Sequence, residues 1–276
     1  MSEPIVALSG AATDPGLRRS LNEDSFLAVS PVFLVADGMG GHDRGEVASA
    51  TAIDEFRAFA GRASLTIDDV RGALGRARAR VDGLSVGSDA GAGTTLTGVV
   101  IADVAGEGYW LALNLGDSRT YRLAGGRLEQ ISVDHSVVQE LIDSGELTAE
   151  DAARDRRRNV ITRALGAGSD AEADFWMIPA AGGDRILVCS DGLPGELPAE
   201  RIRTILAVES HPQAAATRLV QEAVLHGGRD NITAVVVDAV AVARRGGASP
   251  EGGADADADD DVDSDTLPRE PVGGMA

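Results

Sequence analysis

The stretch VFLVADGMGGH occupies residues 32–42. Its first five residues form an unbroken apolar run of strand-forming types, which stops at Asp37 and is followed by three glycines within four positions. This pattern predicts a buried strand that enters a tight turn. The turn would place one carboxylate beside the backbone of Gly38, and a carboxylate with a carbonyl is a donor set for Mg²⁺, Mn²⁺ or Ca²⁺. Taken alone, an Asp-Gly pair more often marks only a turn.

The same pattern recurs at three further places in the chain. Apolar runs precede Asp117 and Asp191, each with Gly and Ser beside it, and Asp230 comes shortly before an apolar run at 232–237. Four carboxylates are therefore expected at the ends of four strands. Unneutralised carboxylates about 4 Å apart repel by about 4 kcal/mol per pair at an effective dielectric constant of about 20. If the fold brings them together, divalent cations are the simplest explanation.

A polar segment, residues 18–25, precedes another predicted strand. It can be a solvated turn. Alternatively, Glu23 and Asp24 join the same metal cluster, directly or through water. Arg19 would then suit a phosphate, because a guanidinium matches phosphate oxygens with two parallel donors.

The composition excludes several classes of function. The chain has 276 residues, of which 43% are hydrophobic, and a net charge of -19. This negative charge argues against nonspecific binding to nucleic acid or to an anionic membrane. Its one cysteine, Cys189, cannot form an internal disulfide, as is typical of a reducing compartment. The N-terminal residues do not resemble a signal peptide, and no apolar run is long enough to span a membrane. We therefore expect a cytoplasmic protein.

The order of the predicted elements indicates an α+β fold. Apolar periodicity predicts helices at 46–60, 67–83, 199–208 and 212–226, with shorter helices inside an inserted polar segment. Between the two helix pairs lie groups of strands rather than a regular strand–helix alternation. The predicted strands cover 5–9, 26–29, 32–36, 94–102, 109–115, 120–123, 128–132, 175–178, 184–189 and 232–240, and 87–93 is predicted to be a flexible link.

The chain changes character after residue 242. Residues 243–276 contain nine acidic residues and three arginines, and they lack any core-forming pattern. We predict one folded domain over 1–242 and a disordered acidic tail over 243–276. The tail can serve to keep the protein soluble, to bind Ca²⁺ weakly or to contact a partner electrostatically.

Nine segments along the chain, in order, together resemble the bacterial type 2C (metal-dependent, PPM) serine/threonine protein phosphatases. The resemblance covers about residues 5–240, and it implies an αββα four-layer sandwich with two central, mainly antiparallel sheets flanked by helix pairs. The segments are 19–25, 37–42, 45–46, 93–95, 116–119, 134–136, 159–166, 190–193 and 230–231.

The resemblance also implies a centre of two Mn²⁺ or Mg²⁺ ions. Asp37 would bridge both ions and Gly38 would contribute its carbonyl oxygen. Asp191 and Asp230 would complete the ligands of these two ions. Asp117, together with Asp191, matches the position of a third ion in bacterial members.

Further roles follow from the same resemblance. Glu23 and Asp24 would hold metal-bound waters or ligate weakly, and Arg19 would bind the substrate phosphate. Residues 134–160 would form a mobile flap beside the site. Pro194 departs from the family pattern, which has a small polar residue there, and it can alter the loop next to Asp191.

The implied reaction is hydrolysis of phosphoserine or phosphothreonine by direct attack of a water that bridges the metals. Some eukaryotic members place a histidine directly after the Asp-Gly, but this chain has Met39 there. The general acid is therefore either His42 or a metal-bound water. The expected partners are phosphorylated proteins, such as bacterial Ser/Thr kinases and their substrates, and the expected state is a monomer.

Other classes fit less well. A cysteine phosphatase needs an arginine six residues after its cysteine, and the residue six after Cys189 is Gly195. A dehalogenase-type phosphatase needs an Asp-x-Asp after a strand, whereas the repeats at 255–261 lie in the tail. An EF-hand needs a twelve-residue loop with a terminal Glu, which the stretch after Asp37 lacks. The remaining alternative is a catalytically inactive type 2C fold that serves as a docking or sensing module.

Overall fold

The computed structural model describes residues 3–40, 44–84, 91–152, 155–166 and 172–244. Within these ranges it has twelve strands and seven helices. The strands are β1 (Ile5–Asp14), β2 (Asp24–Val29), β3 (Val32–Gly40), β4 (Ala92–Thr94), β5 (Leu96–Val104), β6 (Glu107–Leu115), β7 (Arg119–Ala124), β8 (Arg127–Gln130), β9 (Leu165–Gly166), β10 (Asp174–Pro179), β11 (Arg185–Cys189) and β12 (Ile232–Val242). The helices are α1 (Arg44–Arg57), α2 (Ile67–Leu84), α3 (Val137–Asp143), α4 (Ala149–Ala152), α5 (Gly192–Glu196), α6 (Ala199–Val208) and α7 (Pro212–His226).

The strands form two sheets. The small sheet has five strands in the order β1-β12-β11-β7-β8. The large sheet has seven strands, in the order β10-β6-β5-β3-β4-β9 with β2 paired to β3. All strand pairs in the described ranges are antiparallel. The predicted α+β class with two central antiparallel sheets is therefore confirmed.

Three apolar layers explain why the sheets stack. The layer between the sheets contains Phe33 and Trp110 from the large sheet with Val235 from the small sheet. On the outer face of the large sheet, α1 and α2 contribute residues such as Phe56. On the outer face of the small sheet, α6 and α7 contribute residues such as Leu219. The resulting order is helix pair, sheet, sheet, helix pair.

The alternation along β3 explains the unbroken apolar run at 32–36. Val32, Leu34 and Ala36 face the layer below the helices, whereas Phe33 and Val35 face the layer between the sheets. Since both faces of the strand are buried, both sets of alternating side chains have to be apolar.

The predicted tight turn at Asp37 is wrong. β3 continues to Gly40, because Gly38, Met39 and Gly40 pair with residues 94, 93 and 92 of β4. The end of the apolar run therefore marks where the strand leaves the core, not where its backbone pairing stops. For the same reason, part of the predicted flexible link at 87–93 is strand β4, and residues 85–90 lie outside the described ranges.

The inserted segment contains α3 and α4 and returns to the sheet at β9. An isolated antiparallel bridge joins Ser136 to Ile161 at its base, so the segment begins and ends at one place. That it moves as a flap stays a prediction. None of the described helices combines the length and the apolar character needed to cross a membrane. Of the predicted acidic tail, residues 245–276 lie outside the described ranges.

Candidate active site

Both sheets contribute aspartates to one cluster. Asp24 begins β2 and pairs directly with Asp37 of β3 in the large sheet. Asp191 follows the last residue of β11, and Asp230 precedes β12, both in the small sheet. Asp117 lies in the connection from β6 to β7, which links the two sheets. The cluster therefore lies where the two sheets meet.

The electrostatics show that these carboxyls are close together. Burial raises the pKa of Asp37 well above its usual range, and the charges of the other four aspartates raise it further. Burial, followed by the charge of Asp191, raises the pKa of Asp117 to about 8. Burial and then the charge of Asp230 raise the pKa of Asp191. Bringing all of these groups together in their ionised form requires neutralising charge.

The cluster fits divalent cations. Asp24 Oδ1 and Asp117 Oδ1 are both buried and have no hydrogen-bond partner, which is rare for a carboxylate oxygen unless an ion or a water contacts it. Carboxylate oxygens are the ligands that Mg²⁺ and Mn²⁺ prefer. No group of three or more His, Cys, Asp or Glu side chains in the described ranges is already arranged to hold a metal ion. The site thus has the donor chemistry of a divalent centre without a finished set of ligands.

Two hydroxyl groups orient Asp24. Ser190 Oγ and Thr233 Oγ1 each donate to Asp24 Oδ2 at 2.7 Å. Although these bonds favour the ionised carboxylate, burial is the larger effect and raises the pKa of Asp24 to about 7. Because both donors bind Oδ2, the other oxygen, Oδ1, is left for the cluster. Neither hydroxyl was assigned a role from the sequence, since their contact with Asp24 joins positions far apart in the chain.

Glycines allow Glu23 to approach the cluster. The Gly38 N–H donates to the Glu23 carbonyl oxygen at 3.1 Å. A Cβ on Gly38 would lie 2.1 Å from the Gly45 carbonyl oxygen, and a Cβ on Gly45 would lie 2.4 Å from Glu23 Oε1. Side chains at these two positions would therefore clash with their neighbours. The Glu23 carboxylate lies at the first turn of α1, where the helix dipole favours a negative charge.

Arg19 lies beside the cluster, as the sequence predicts. Its Nη2 donates to Asp230 Oδ2 at 2.8 Å, and half of its side chain is exposed. The hydrogen bond to Asp230 is the main reason that the pKa of Arg19 is raised. A guanidinium has five N–H donors, so donors remain for a phosphate at the exposed side.

Asn231 holds the segment that carries Arg19. Its Oδ1 accepts from the Glu23 N–H at 2.9 Å, and its Nδ2 donates to the carbonyl oxygens of Leu21 at 2.8 Å and Pro15 at 3.0 Å. Asn231 lies in one of the segments that resemble the family, but no role for it is predicted from the sequence. An amide directly after a candidate metal ligand was the available signal.

His135 connects the inserted segment to the loop of Asp117. Its Nδ1 accepts from the Gly116 N–H at 3.2 Å, and its own backbone N–H donates to the Gly116 carbonyl oxygen at 2.9 Å. Because Nδ1 accepts, the ring proton is on Nε2, which lies 3.1 Å from Asp174 Oδ2. No role for His135 is predicted from the sequence, although this residue stands in the Asp-His-Ser segment at 134–136.

Pro194 fits the backbone of the short helix that follows Asp191. It lies in the first turn of the short helix α5, where a backbone N–H has no partner within the helix and a proline is tolerated. A Cβ on Gly192 would lie 2.1 Å from the Asn231 carbonyl oxygen. This close backbone approach brings the residues after β11 against those before β12, and so brings Asp191 close to Asp230.

A family model described as Protein phosphatase 2C matches residues 18–226. The matched region contains Arg19 and four of the five clustered aspartates, and Asp230 lies just beyond its end. The chain belongs to the protein phosphatase 2C family. The predicted family is therefore confirmed.

Bacterial protein phosphatase 2C relatives resemble most of the chain. The Serine/threonine protein phosphatase PstP of Mycobacterium tuberculosis is 40% identical over 252 residues, 86% of this chain and 46% of PstP. The chain thus spans about half the length of that relative. The Serine/threonine phosphatase stp of Listeria monocytogenes is 34% identical, covering 82% of this chain and 93% of stp.

A solved structure agrees in fold. The crystal structure of the catalytic domain of PstP in complex with two manganese ions has a TM-score of 0.74 and 34% identity, and the likeness covers 85% of this chain and 98% of that chain. The manganese ions belong to that protein. In the present protein phosphatase 2C chain, the roles of Asp37, Gly38, Asp117, Asp191 and Asp230 as metal ligands stay predictions. His42, a candidate general acid, lies outside the described ranges.

Proposed function

We propose that this chain is a metal-dependent serine/threonine protein phosphatase. The observation that carries the proposal is the cluster of five aspartates, drawn from both sheets, with Arg19 beside it. The bacterial relatives that share the fold and are named Ser/Thr phosphatases support it. The proposal extends to Mn²⁺ as the ion used, with Mg²⁺ as the alternative, since hard oxygen donors suit both.

Residues of this chain would bind both the metal ions and the substrate phosphate. Asp37, Asp191, Asp230 and the Gly38 carbonyl would hold two ions, and Asp117 would take part in holding a third. When bound, the ions lower the pKa of water and neutralise the charge of phosphoryl oxygens. Arg19 would bind a phosphate with the donors that the bond to Asp230 leaves free.

The supporting residues keep those groups in place. Asn231 ties the Arg19 segment to the start of β12. Ser190 and Thr233 hold one oxygen of Asp24 and leave the other without a hydrogen-bond partner. Such fixed geometry matters for phosphoryl transfer, because catalysis depends almost entirely on positioning and electrostatic stabilisation.

Substrates and setting are part of the same proposal. A site that carries Arg19 and divalent ions suits the dianionic phosphate of a phosphoserine or phosphothreonine. Phosphorylated proteins, such as bacterial Ser/Thr kinases and their substrates, are the proposed partners, for a monomeric enzyme in the cytoplasm. A catalytically inactive docking module is not favoured, because every carboxylate that the family resemblance implies is present in the sequence and the relatives are named phosphatases.

The test is hydrolysis of an aryl phosphate and of a phosphoserine peptide by purified protein during a Mn²⁺ titration. We expect activity that requires Mn²⁺ and disappears with EDTA. Asp191→Asn should lower kcat/KM by about 100-fold or more, because metal-assisted charge stabilisation is worth several kcal/mol. Asp68→Asn, at an exposed site on α2, is the matched control and should leave the rate unchanged. Folded wild-type protein that hydrolyses neither substrate with Mn²⁺ or Mg²⁺ would contradict the proposal.

A further inference from the structure

A groove of about 890 Å³ runs between β2 and α1. We name it the β2–α1 groove. It begins at Asp24, in the carboxylate cluster, and continues to Val29 at the far end of β2. Its α1 side is formed by residues that include Glu46, Val47 and Ala50. The groove thus starts at one residue of the candidate active site.

One wall of the groove is a sheet edge. Among the described residues, β2 pairs only with β3. Just before β2, the Glu23 carbonyl oxygen accepts from Gly38 of β3. By contrast, the Asp24 N–H is bonded to the Asn22 side chain, and the Ala28 carbonyl oxygen accepts from Ser9 Oγ at 3.1 Å.

These bonds fix which backbone groups face outward. Neighbouring residues of a strand direct their backbone groups to opposite sides, so Asp24, Phe26 and Ala28 direct theirs away from β3. Phe26, in the middle of β2, therefore presents its N–H and C=O at the open edge. An extended peptide can add to such an edge as a further strand, with main-chain hydrogen bonds giving affinity and side-chain pockets giving specificity.

The side chains along the groove indicate what kind of peptide fits. Val29 and Val47 are exposed by 47% and 48%, and they offer an apolar contact. Glu46 is exposed and has no ion-pair partner within the described ranges. The charge of Asp54, further along, is already offset by Arg57 and Arg80.

We infer that the β2–α1 groove docks the extended segment of a phosphoprotein substrate that adjoins its phosphoserine or phosphothreonine. The segment adds to the edge of β2 at Phe26, with a basic residue facing Glu46, one apolar residue against Val47 and another against Val29 at the far end of the groove. The six residues of β2 span about 20 Å, the length of about six extended residues, and Phe26 at their middle provides the main-chain groups that the added strand would bind. The inference rests on the proposed function, because the phosphate at the cluster fixes where the docked segment starts.

The test uses a substitution that fills the groove without touching the cluster. Ala50 is exposed on α1 and lines the groove, so Ala50→Arg obstructs docking. Ala214→Arg, at an exposed alanine of α7, is the matched control. The substrates are an aryl phosphate and a fluorescent phosphoserine peptide with flanks of about six residues, carrying an Arg near the phosphoserine and a Leu beyond it.

We expect Ala50→Arg to lower kcat/KM for the peptide about tenfold, equivalent to about 1.4 kcal/mol, and to leave kcat/KM for the aryl phosphate unchanged. Ala214→Arg should change neither. Val47→Ser, which removes one apolar contact and retains the backbone edge, should lower the peptide value by a smaller factor. This second variant keeps the test decisive if Ala50→Arg does not fold.

Three results would overturn the inference. The first is that the groove variants bind and turn over the phosphopeptide as well as the wild type does. The second is that kcat/KM falls equally for both substrates. The third is that the unphosphorylated peptide binds as tightly as the phosphopeptide. The last result would indicate a partner other than a substrate. A wild type that hydrolyses neither substrate overturns the proposed function instead, and anisotropy with the phosphopeptide still tests the groove.

Discussion

At the scale of single residues, Asn231 makes three hydrogen bonds to backbone groups of the Arg19 segment. Asn231→Asp keeps the acceptor but loses both donors, which leaves the carbonyls of Pro15 and Leu21 facing a carboxylate. We expect the free energy of unfolding to fall by about 2–4 kcal/mol. We also expect KM for an aryl phosphate to rise, because Arg19 is no longer held. Urea unfolding and steady-state kinetics measure the two effects.

The control for this residue is Asn159→Asp, which makes the same change at an exposed position. It should alter the free energy of unfolding by no more than about 0.5 kcal/mol. If Asn231→Asp is as stable as this control, Asn231 does not have the structural role given to it here.

Single candidate residues could be identified from the sequence, but the residues that orient them through hydrogen bonds could not. Asp37 and Asp191 follow recognisable apolar runs, so both can be identified as candidates directly, although β3 continues past Asp37 to Gly40. Ser190 and Thr233 support Asp24 only because β11 and β12 pair and bring both hydroxyls under β2. That pairing joins distant parts of the chain, and no local pattern encodes it.

At the scale of elements, a capping box begins α2. Asp69 Oδ2 accepts from the Thr66 N–H at 2.9 Å, and the Asp69 N–H donates to Thr66 Oγ1 at 3.1 Å. Arg62 also pairs with this carboxylate. We expect Asp69→Ala to lower the free energy of unfolding at neutral pH by about 1–2 kcal/mol, as loss of a helix cap does. Urea unfolding measures the change.

The pH dependence tests the same cap. The hydrogen bonds from Arg62 and Thr66 lower the pKa of Asp69 to about 2, below the value of about 3.9 expected in the unfolded chain. Its contribution to stability is therefore complete above about pH 4 and is lost as the pH falls toward 2. The difference in the free energy of unfolding between the wild type and Asp69→Ala should therefore become smaller as the pH falls from about 4 to about 2. The free energy of unfolding of Asp68→Ala should be close to that of the wild type at every pH. If Asp69→Ala lowers the free energy of unfolding by the same amount at every pH, the charge of the Asp69 carboxylate does not contribute to the cap.

Elements with strong periodicity were predicted well. Helices α6 and α7 match their predicted bounds, because their apolar faces repeat over several turns. β4 and α5 were missed, since each is too short to show a period: the first has three residues and the second five. Their conformation depends on neighbouring strands, such as the pairing of β4 with β3.

At the scale of the whole molecule, the carboxylate cluster links the two sheets, so bound ions should stabilise the entire fold. Ions that bind only the folded state add RT ln(1 + [L]/Kd) to its stability. For one ion at one hundred times its Kd, we expect Mn²⁺ to raise Tm by about 5–10 °C. EDTA should reverse the shift, and thermal unfolding followed by circular dichroism measures it.

Asp37→Asn separates this effect from nonspecific binding of ions. Burial together with four neighbouring carboxyls raises the pKa of Asp37, so removing its charge should make the metal-free protein more stable than the wild type at neutral pH. The same variant should lose most of the Mn²⁺-dependent rise in Tm. A full Mn²⁺ shift in Asp37→Asn would mean that the stabilising ions bind elsewhere.

The pairing of β1 with β12 determines when the carboxylate cluster can be completed during synthesis of the chain. β12 is the last strand of the described chain, yet it lies between β1 and β11 in the small sheet. A ribosome releases the chain from its N-terminus, so the small sheet cannot be completed until β12 has emerged. Asp230 and Asn231 emerge directly before it. A nascent chain therefore carries Asp37 long before it can assemble the carboxylate cluster, which is complete only after Asp230 and β12 have been translated.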